Sequence, residues 1–323
     1  MPHDSANSDR PPPPRPLWTL NDVTLRGGGR PRLECVSLEI HPGRTAVLGY
    51  SGAGKTSLLN LLVRFERPTA GTLCAEIPAE ARLPLFWVPD NDGLWPHLTA
   101  SEHLHSVSRD ATHCRGLLDG FDLAALAPAR PDRLSRGERS RLAVARALAS
   151  EAVVLVMDEP LAHVDPARLG RYWDVLRAHC RERSTSLVFA THAPETAIAE
   201  SDRVVCLKDG RLCYTGNVET LYRDPPSAEL AAYLGPANWF DAGEAARWLE
   251  EPRPGRRCYR PEQLRIVGHA AGRLVVEAVR FCGSHAEVDV RHETDGAARR
   301  LFHRPAAHTL TPGDRVAVRV SEP

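Results

Sequence analysis

The chain reads as an α/β fold built on a largely parallel sheet, followed by a small all-β unit. Three observations predict this. A glycine-rich loop, "GYSGAGKTS" at 49–57, stands between a β-type run, "TAVLG" at 45–49, and a run with helical apolar spacing, "SLLNLLVRF" at 57–65. Strand-like and helix-like segments alternate from Trp18 to Leu234, the pattern of an α/β layer. From Cys258 the texture changes to short alternating runs, "LRIV", "RLVVEAVRF", "AEVDV" and "DRVAVRV", separated by glycine or proline turns.

Taken in order, residues 1–17, "MPHDSANSDRPPPPRPL", are low-complexity and expected to be disordered. The loop that follows β-type residues 45–49 fits G-x-x-x-x-G-K-[ST] through Gly49, Gly54, Lys55 and Thr56. Its intervening residues Tyr50, Ser51, Gly52 and Ala53, with Ser57 behind, complete a ring of backbone N–H groups suited to phosphate oxygens. The helix N-terminus adds positive potential, Thr56 offers a hydroxyl to Mg²⁺, and Lys55 brings a compact ammonium to the β- and γ-phosphates. The chain has 41 Lys and Arg, of which only Lys55 and Lys208 are lysine, leaving 41 − 2 = 39 arginines. Lysine at this one place fits a space too small for a guanidinium.

Further on, "RLSRGERSRLAVARAL" at 133–148 predicts a helix capped by Ser135, with Leu142, Ala145 and Leu148 on one face and an anion-seeking N-terminus. "VVLVMDEP" at 153–160 predicts a buried strand ending in Asp158 and Glu159, at the sheet edge where phosphates bind in open α/β sheets. Asp158 then holds Mg²⁺, and Glu159 polarises the water that attacks the γ-phosphate. Residues 235–257 read as a linker carrying one short helix. Residues 258–323 read as a small barrel-like β domain, in which Val316, Val318 and Val320 share one face.

Composition excludes several classes. The formal net charge is zero, so no bulk attraction to nucleic acid or anionic lipid is implied. No apolar run approaches the ~20 residues of a membrane span, and the polar, then proline-rich, N-terminus has no secretory pattern. The eight cysteines form no C-x-x-C and are expected as free thiols in a reducing compartment; the 14 histidines show no ligand spacing.

The order of phosphate loop, "LSRGE", "LVMDEP" and "FATHAPE" at 189–195 resembles the ATP-binding subunit of an ABC transporter. The resemblance covers about 18–234 and implies a P-loop NTPase core of ABC type with a helical subdomain. "LAHVDP" at 161–166 resembles the family's loop after the Asp-Glu pair, placing Asp165 at its nucleotide position, and His192 matches the switch histidine that contacts the γ-phosphate. "LWPHLTASEHL" at 94–104 resembles the stretch after the family's Gln loop, which places Asp90 where a glutamine normally touches Mg²⁺ and the attacking water. Such subunits pair head to tail as homodimers or heterodimers. Each ATP is sandwiched between one phosphate loop and the partner's Ser135, Arg136, Gly137 and Glu138. "DRVVCLKDGRLCYTGNVETLYRDPP" and "YRPEQLRIV" resemble the end of the ATPase and the start of the TOBE-like, OB-like regulatory β domain in bacterial importers of sugars, polyamines, ferric ion, molybdate or sulfate. That implies ATP and Mg²⁺ as ligands, integral membrane permease partners, an extracytoplasmic solute-binding protein acting indirectly, and no nucleic acid. It also implies a peripheral position on the cytoplasmic face of the inner membrane.

Four departures stand out. Asp90 replaces the glutamine, Arg136 replaces the signature's middle glycine and Glu138 its glutamine. "LRGGGR" at 25–30 holds no aromatic to stack on adenine. Asp90 and Ser135 are 135 − 90 = 45 positions apart, which implies a trimmed helical subdomain. A soluble ABC-type ATPase, or a slow or regulatory nucleotide-binding module, are the alternatives to an importer subunit.

Overall fold

The computed structural model describes residues 15–78, 83–241, 243–305 and 310–321. The expected disordered tail lies outside the described residues as far as residue 14. The chain divides into two compact units, the first ending at Asn217 and the second beginning at Val218.

In the first unit, β1 (Trp18–Leu25) pairs antiparallel with β2 (Leu33–Ile40), β3 is Arg44–Leu48, and α1 (Lys55–Leu62) follows the glycine-rich loop. β4 (Ala70–Ala75) pairs with the other edge of β1, giving an antiparallel sheet of order β2-β1-β4. This small sheet is not marked by the alternation of strands and helices, yet its alternating residues are apolar. Leu33, Val36, Leu38 and Ile40 are buried in the main core beside Val47, Leu58 and Leu62. Trp18 is fully buried, and its Nε1–H donates to the Leu62 carbonyl at 3.1 Å, tying β1 to the end of α1.

β5 (Leu85–Val88), α2 (Ala100–His105), α3 (Ala111–Gly120) and α4 (Arg136–Ala149) precede β6 (Val154–Asp158). α5 (Pro166–Glu182), β7 (Ser186–Thr191), α6 (Pro194–Glu200), β8 (Arg203–Lys208) and β9 (Arg211–Asn217) complete the unit. The principal sheet runs β5-β6-β7-β3-β8-β9. All its ladders are parallel except β8–β9, the hairpin flanked by Cys206 and Cys213. The buried run Val154–Asp158 occupies a central strand, so its carboxyl-terminal residues emerge beside the loop after β3. Leu142, Ala145 and Leu148 of α4 are fully buried, the expected face.

The second unit opens with α7 (Val218–Arg223) and α8 (Ala228–Tyr233), two helices that the sequence reading places at the end of the ATPase domain. β10 (Asn238–Trp239) pairs with β11 (Cys258–Tyr259) across the expected linker, which carries the short α9 (Ala245–Trp248). Next come β12 (Leu264–Gly268), β13 (Leu274–Phe281), β14 (Ala286–His292), β15 (Ala298–His303) and β16 (Arg315–Val320). They form one antiparallel sheet of order β12-β16-β13-β14-β15, with β12 and β15 at its edges. Val316 and Val318 are buried in its core with Phe240, Tyr259, Val276, Val288 and Leu301, and Val320 packs against it. Arg260 is almost wholly buried; it donates to the carbonyls of Tyr222, Ala231, Gly235 and Pro236 and stacks on the Tyr222 ring. This single guanidinium fastens α7 and α8 to β11.

All eight cysteines are free thiols, as expected. No helix among the described residues is long and apolar enough to cross a membrane.

Candidate active site

The glycines of the loop are required by its geometry. A Cβ at Gly49 would stand 2.5 Å from the Leu207 carbonyl oxygen and 2.8 Å from Ala53 Cβ. Gly54 caps α1 at φ 103°, a left-handed conformation open to glycine, and offers no side chain to the first N–H groups. With no acidic residue in its first turn, the α1 N-terminus keeps both its free N–H groups and its positive potential.

The cleft over this loop measures about 370 Å³ and is lined by residues 51–57, by Asp90, Asp158 and Glu159, and by Arg30, Pro31, Arg32 and Asp209. Lys55 lies along its floor. Its ammonium donates to the Gly49 carbonyl at 2.8 Å and sits 3.9 Å from Glu159 Oε1. Thr56 Oγ1 donates to Asp158 Oδ2 at 2.6 Å. Burial pushes the Asp158 carboxyl above the usual carboxylate range; the Thr56 hydrogen bond opposes this, while the nearby charges of Glu159 and Asp90 add to it. Glu159 adopts φ 48°, with its N–H donating to the Ala190 carbonyl at 3.1 Å, and Leu161 and His163 are also left-handed. A non-glycine residue held at such angles is strained, and here the strain turns the carboxylate toward the phosphate loop. His192, exposed at the end of β7, donates from Nδ1 to Glu159 Oε1 at 2.9 Å. Tyr50 is largely exposed at the mouth of the loop.

Ser135, Arg136, Gly137, Glu138 and Asp165 are not brought to this cleft. They line a second one of about 410 Å³, with Arg141, His163, Val164, Arg168 and Tyr172. Ser135 caps α4 by accepting from Glu138 N–H at 3.3 Å, and Glu138 Oε2 accepts from Ser135 N–H at 2.7 Å. The glutamate that departs from the family pattern therefore closes a capping box, a role the S-x-x-E spacing announces. Asp165 caps α5 by accepting from Ala167 N–H at 3.0 Å. Gly137 has no room for a side chain, since a Cβ would stand 2.7 Å from the His163 carbonyl oxygen. That contact docks the α4 N-terminus on the loop after Glu159.

A further tie links α4 to the segment after Asp90. Arg146, near the end of α4, donates to the carbonyls of Gly93 at 2.9 Å and Asp92 at 3.2 Å and stacks on Trp95, in the segment that follows Asp90. Burial lowers its pKa to about 10. Arg30, Arg32 and Asp209 in the first cleft, and Arg168 and Tyr172 in the second, are lining residues that no local motif marks. They come from turns and helix faces far along the chain.

Compared with known proteins, residues 33–162 match the family model described as ABC transporter, and residues 258–322 match the one described as TOBE domain. The chain is 31% identical to the Fe(3+) ions import ATP-binding protein FbpC 2 of Rhodococcus jostii (strain RHA1), covering 93% of this chain and 96% of that protein. It is 34% identical to the spermidine/putrescine import ATP-binding protein PotA of Marinobacter nauticus, over 69% of this chain and 64% of that one. Among solved structures, it resembles the dimeric post-hydrolysis state of the ATP-binding cassette MJ0796 bound to ADP and Pi. The TM-score is 0.55 and the identity 24%, over 62% of this chain and 98% of that chain, a likeness of fold.

Proposed function

The chain belongs to the ABC transporter family as an importer-type ATPase subunit with a C-terminal TOBE domain, and on that premise we propose how it works and with what partners. One observation carries the reading. The chain holds two unlike half-sites, a phosphate cleft with a base and a helix-capped cleft with no phosphate loop of its own. Two copies placed head to tail would join the first of one to the second of the other.

In the proposed site Lys55 and the α1 N-terminus bind the β- and γ-phosphates. Thr56 and Asp158, two hard oxygen donors 2.6 Å apart, fit a small dication, whose charge would offset the cost of the buried Asp158 carboxylate. Mg²⁺ held there would neutralise charge on the phosphate oxygens. Glu159 takes a proton from the attacking water while His192 holds its carboxylate by the Nδ1 hydrogen bond. Ser135, Arg136 and Gly137 of the partner would close over the γ-phosphate, with Asp165 nearby. Asp90 adds a further carboxylate beside Asp158 and Glu159, and we infer that it slows turnover relative to a glutamine.

The proposed partners are integral membrane permease subunits at the cytoplasmic face, where dimer closure drives import of an ion or small solute. Fe(3+) is the first solute to test, because the relatives that span nearly the whole chain are named for it. The experiment is purification of the tagged chain from detergent-solubilised native membranes, with ATP hydrolysis measured on the eluate. The expected result is co-elution of an integral membrane protein that stimulates hydrolysis. A chain that hydrolyses ATP but retains no membrane protein contradicts the importer role.

A further inference from the structure

The tip of the β13–β14 hairpin gathers three ligating side chains that nucleotide chemistry leaves unused. Cys282 and His285 stand in the turn, and Glu287 is the second residue of β14. One sulfur, one imidazole nitrogen and one carboxylate oxygen lie within 4.8 Å of one another. The backbone fixes the turn: Gly283 is left-handed at φ 80°, and Cys282 N–H donates to the His285 carbonyl at 2.9 Å. The imidazole is also placed. It tilts against Phe302 with ring centroids 6.0 Å apart, and its Nδ1 lies 3.3 Å from Ser284 Oγ.

Two arginines stand near the same carboxylate. Arg280 and Arg300 each approach Glu287 to 3.6 Å, longer than a good hydrogen bond. Both come closer to Asp289, at 3.3 and 2.8 Å. Asp289 therefore takes most of the arginine charge, and Glu287 keeps lone pairs for another partner.

We propose that Cys282, His285 and Glu287 form a binding site for a divalent transition-metal ion of the zinc class, with a fourth position open to water. The thiolate and imidazole select a borderline ion over Mg²⁺ or Ca²⁺, which prefer oxygen alone. Metal–ligand bonds of about 2.0–2.3 Å place tetrahedral neighbours about 3.5 Å apart. Side-chain rotation closes the difference. As the metal–sulfur bond forms, the Cys282 thiol proton leaves to solvent, and no electrons change hands. Exposure of the cysteine and the count of three ligands make the site exchangeable.

The test uses the full chain, reduced and stripped of metal, titrated with Co²⁺. One equivalent should produce a thiolate-to-cobalt charge-transfer band in the near ultraviolet and the visible bands of tetrahedral cobalt, both displaced by equimolar Zn²⁺. Cys282→Ser should abolish them, with an unchanged metal-free melting temperature as the control for folding. His285→Ala and Glu287→Gln should each weaken Co²⁺ binding about tenfold. Absence of the bands overturns the site. So does their survival in Cys282→Ser, which would assign them to the exposed Cys35, Cys74 or Cys213. Unchanged affinity in His285→Ala or Glu287→Gln overturns it as well.

Discussion

The phosphate cleft buries Asp158 and Lys55 at its base, whereas the cleft at the α4 N-terminus exposes Arg136 and Asp165. In the first, Asp158 is 4% exposed and the Lys55 side chain 10% exposed, and each is held by a hydrogen bond within the cleft. In the second, Ser135, Arg136 and Asp165 are exposed, and their hydrogen bonds serve helix caps. A buried, mutually oriented set of charges is preorganised for a ligand and costs stability until one arrives. An exposed capped helix end costs little and completes a site only when another surface is brought to it. Under the proposed function, the difference means that the first cleft binds nucleotide by itself and the second acts on a nucleotide held by a partner copy.

Substitutions should separate the two clefts in decreasing order of effect. Glu159→Gln is expected to lower turnover by about 10²–10⁴-fold while ATP still binds, since only the base is lost. A steady-state rate near wild type would remove Glu159 from that role. Lys55→Ala is expected to weaken ATP binding by about 100-fold, because a charged donor to phosphate is worth about 1.5–3 kcal/mol. Calorimetric titration checks this, and unchanged affinity would break the assignment of the first cleft. Ser135→Ala removes a helix cap worth about 1 kcal/mol. It should leave the isolated chain's affinity for ATP unchanged and slow hydrolysis. A loss of affinity equal to that of Lys55→Ala would erase the contrast between the clefts.

The smallest effect is on stability and changes with pH. Burial raises the Asp158 pKa above its unfolded value, so its contribution is present at low pH and is lost as pH rises through the folded pKa. Asp158→Asn should therefore raise the nucleotide-free melting temperature by more at pH 8 than at a pH near the ordinary value of 3.8, while abolishing Mg²⁺-dependent turnover. An equal shift at both pH values would show that the carboxylate is not strained by burial.

How much of this is legible in the sequence depends on distance along the chain. The phosphate loop and the Asp158–Glu159 strand end are contiguous, and their glycines and apolar run have a single geometric use, so the residues announce the site. Ser135 and Glu138 are also close enough in sequence to announce a cap, and the structure closes it as a capping box. Arg30 and Asp209, which face each other at 3.3 Å on the rim of the phosphate cleft, are 179 positions apart and have no local signature. The β2-β1-β4 sheet is hidden for a related reason. Its alternation is present in "LECVSLEI", but its pairing joins Trp18 to both Ile40 and Ala75, which only the fold decides. The helices α7 and α8 read as a continuation of the first unit because helical spacing carries no information about which core receives them. Arg260, a buried cation that donates to the Tyr222 and Ala231 carbonyls, gathers them into the second.

The claim that one copy's exposed cleft completes the other's buried one is tested most directly by mass in solution. Light scattering during size-exclusion chromatography should show Glu159→Gln as a monomer without nucleotide and a dimer with ATP. Adding Ser135→Arg to the same chain should leave ATP affinity unchanged and keep the protein monomeric. A dimer that forms regardless of Ser135→Arg, or no dimer with ATP in Glu159→Gln, would contradict the account.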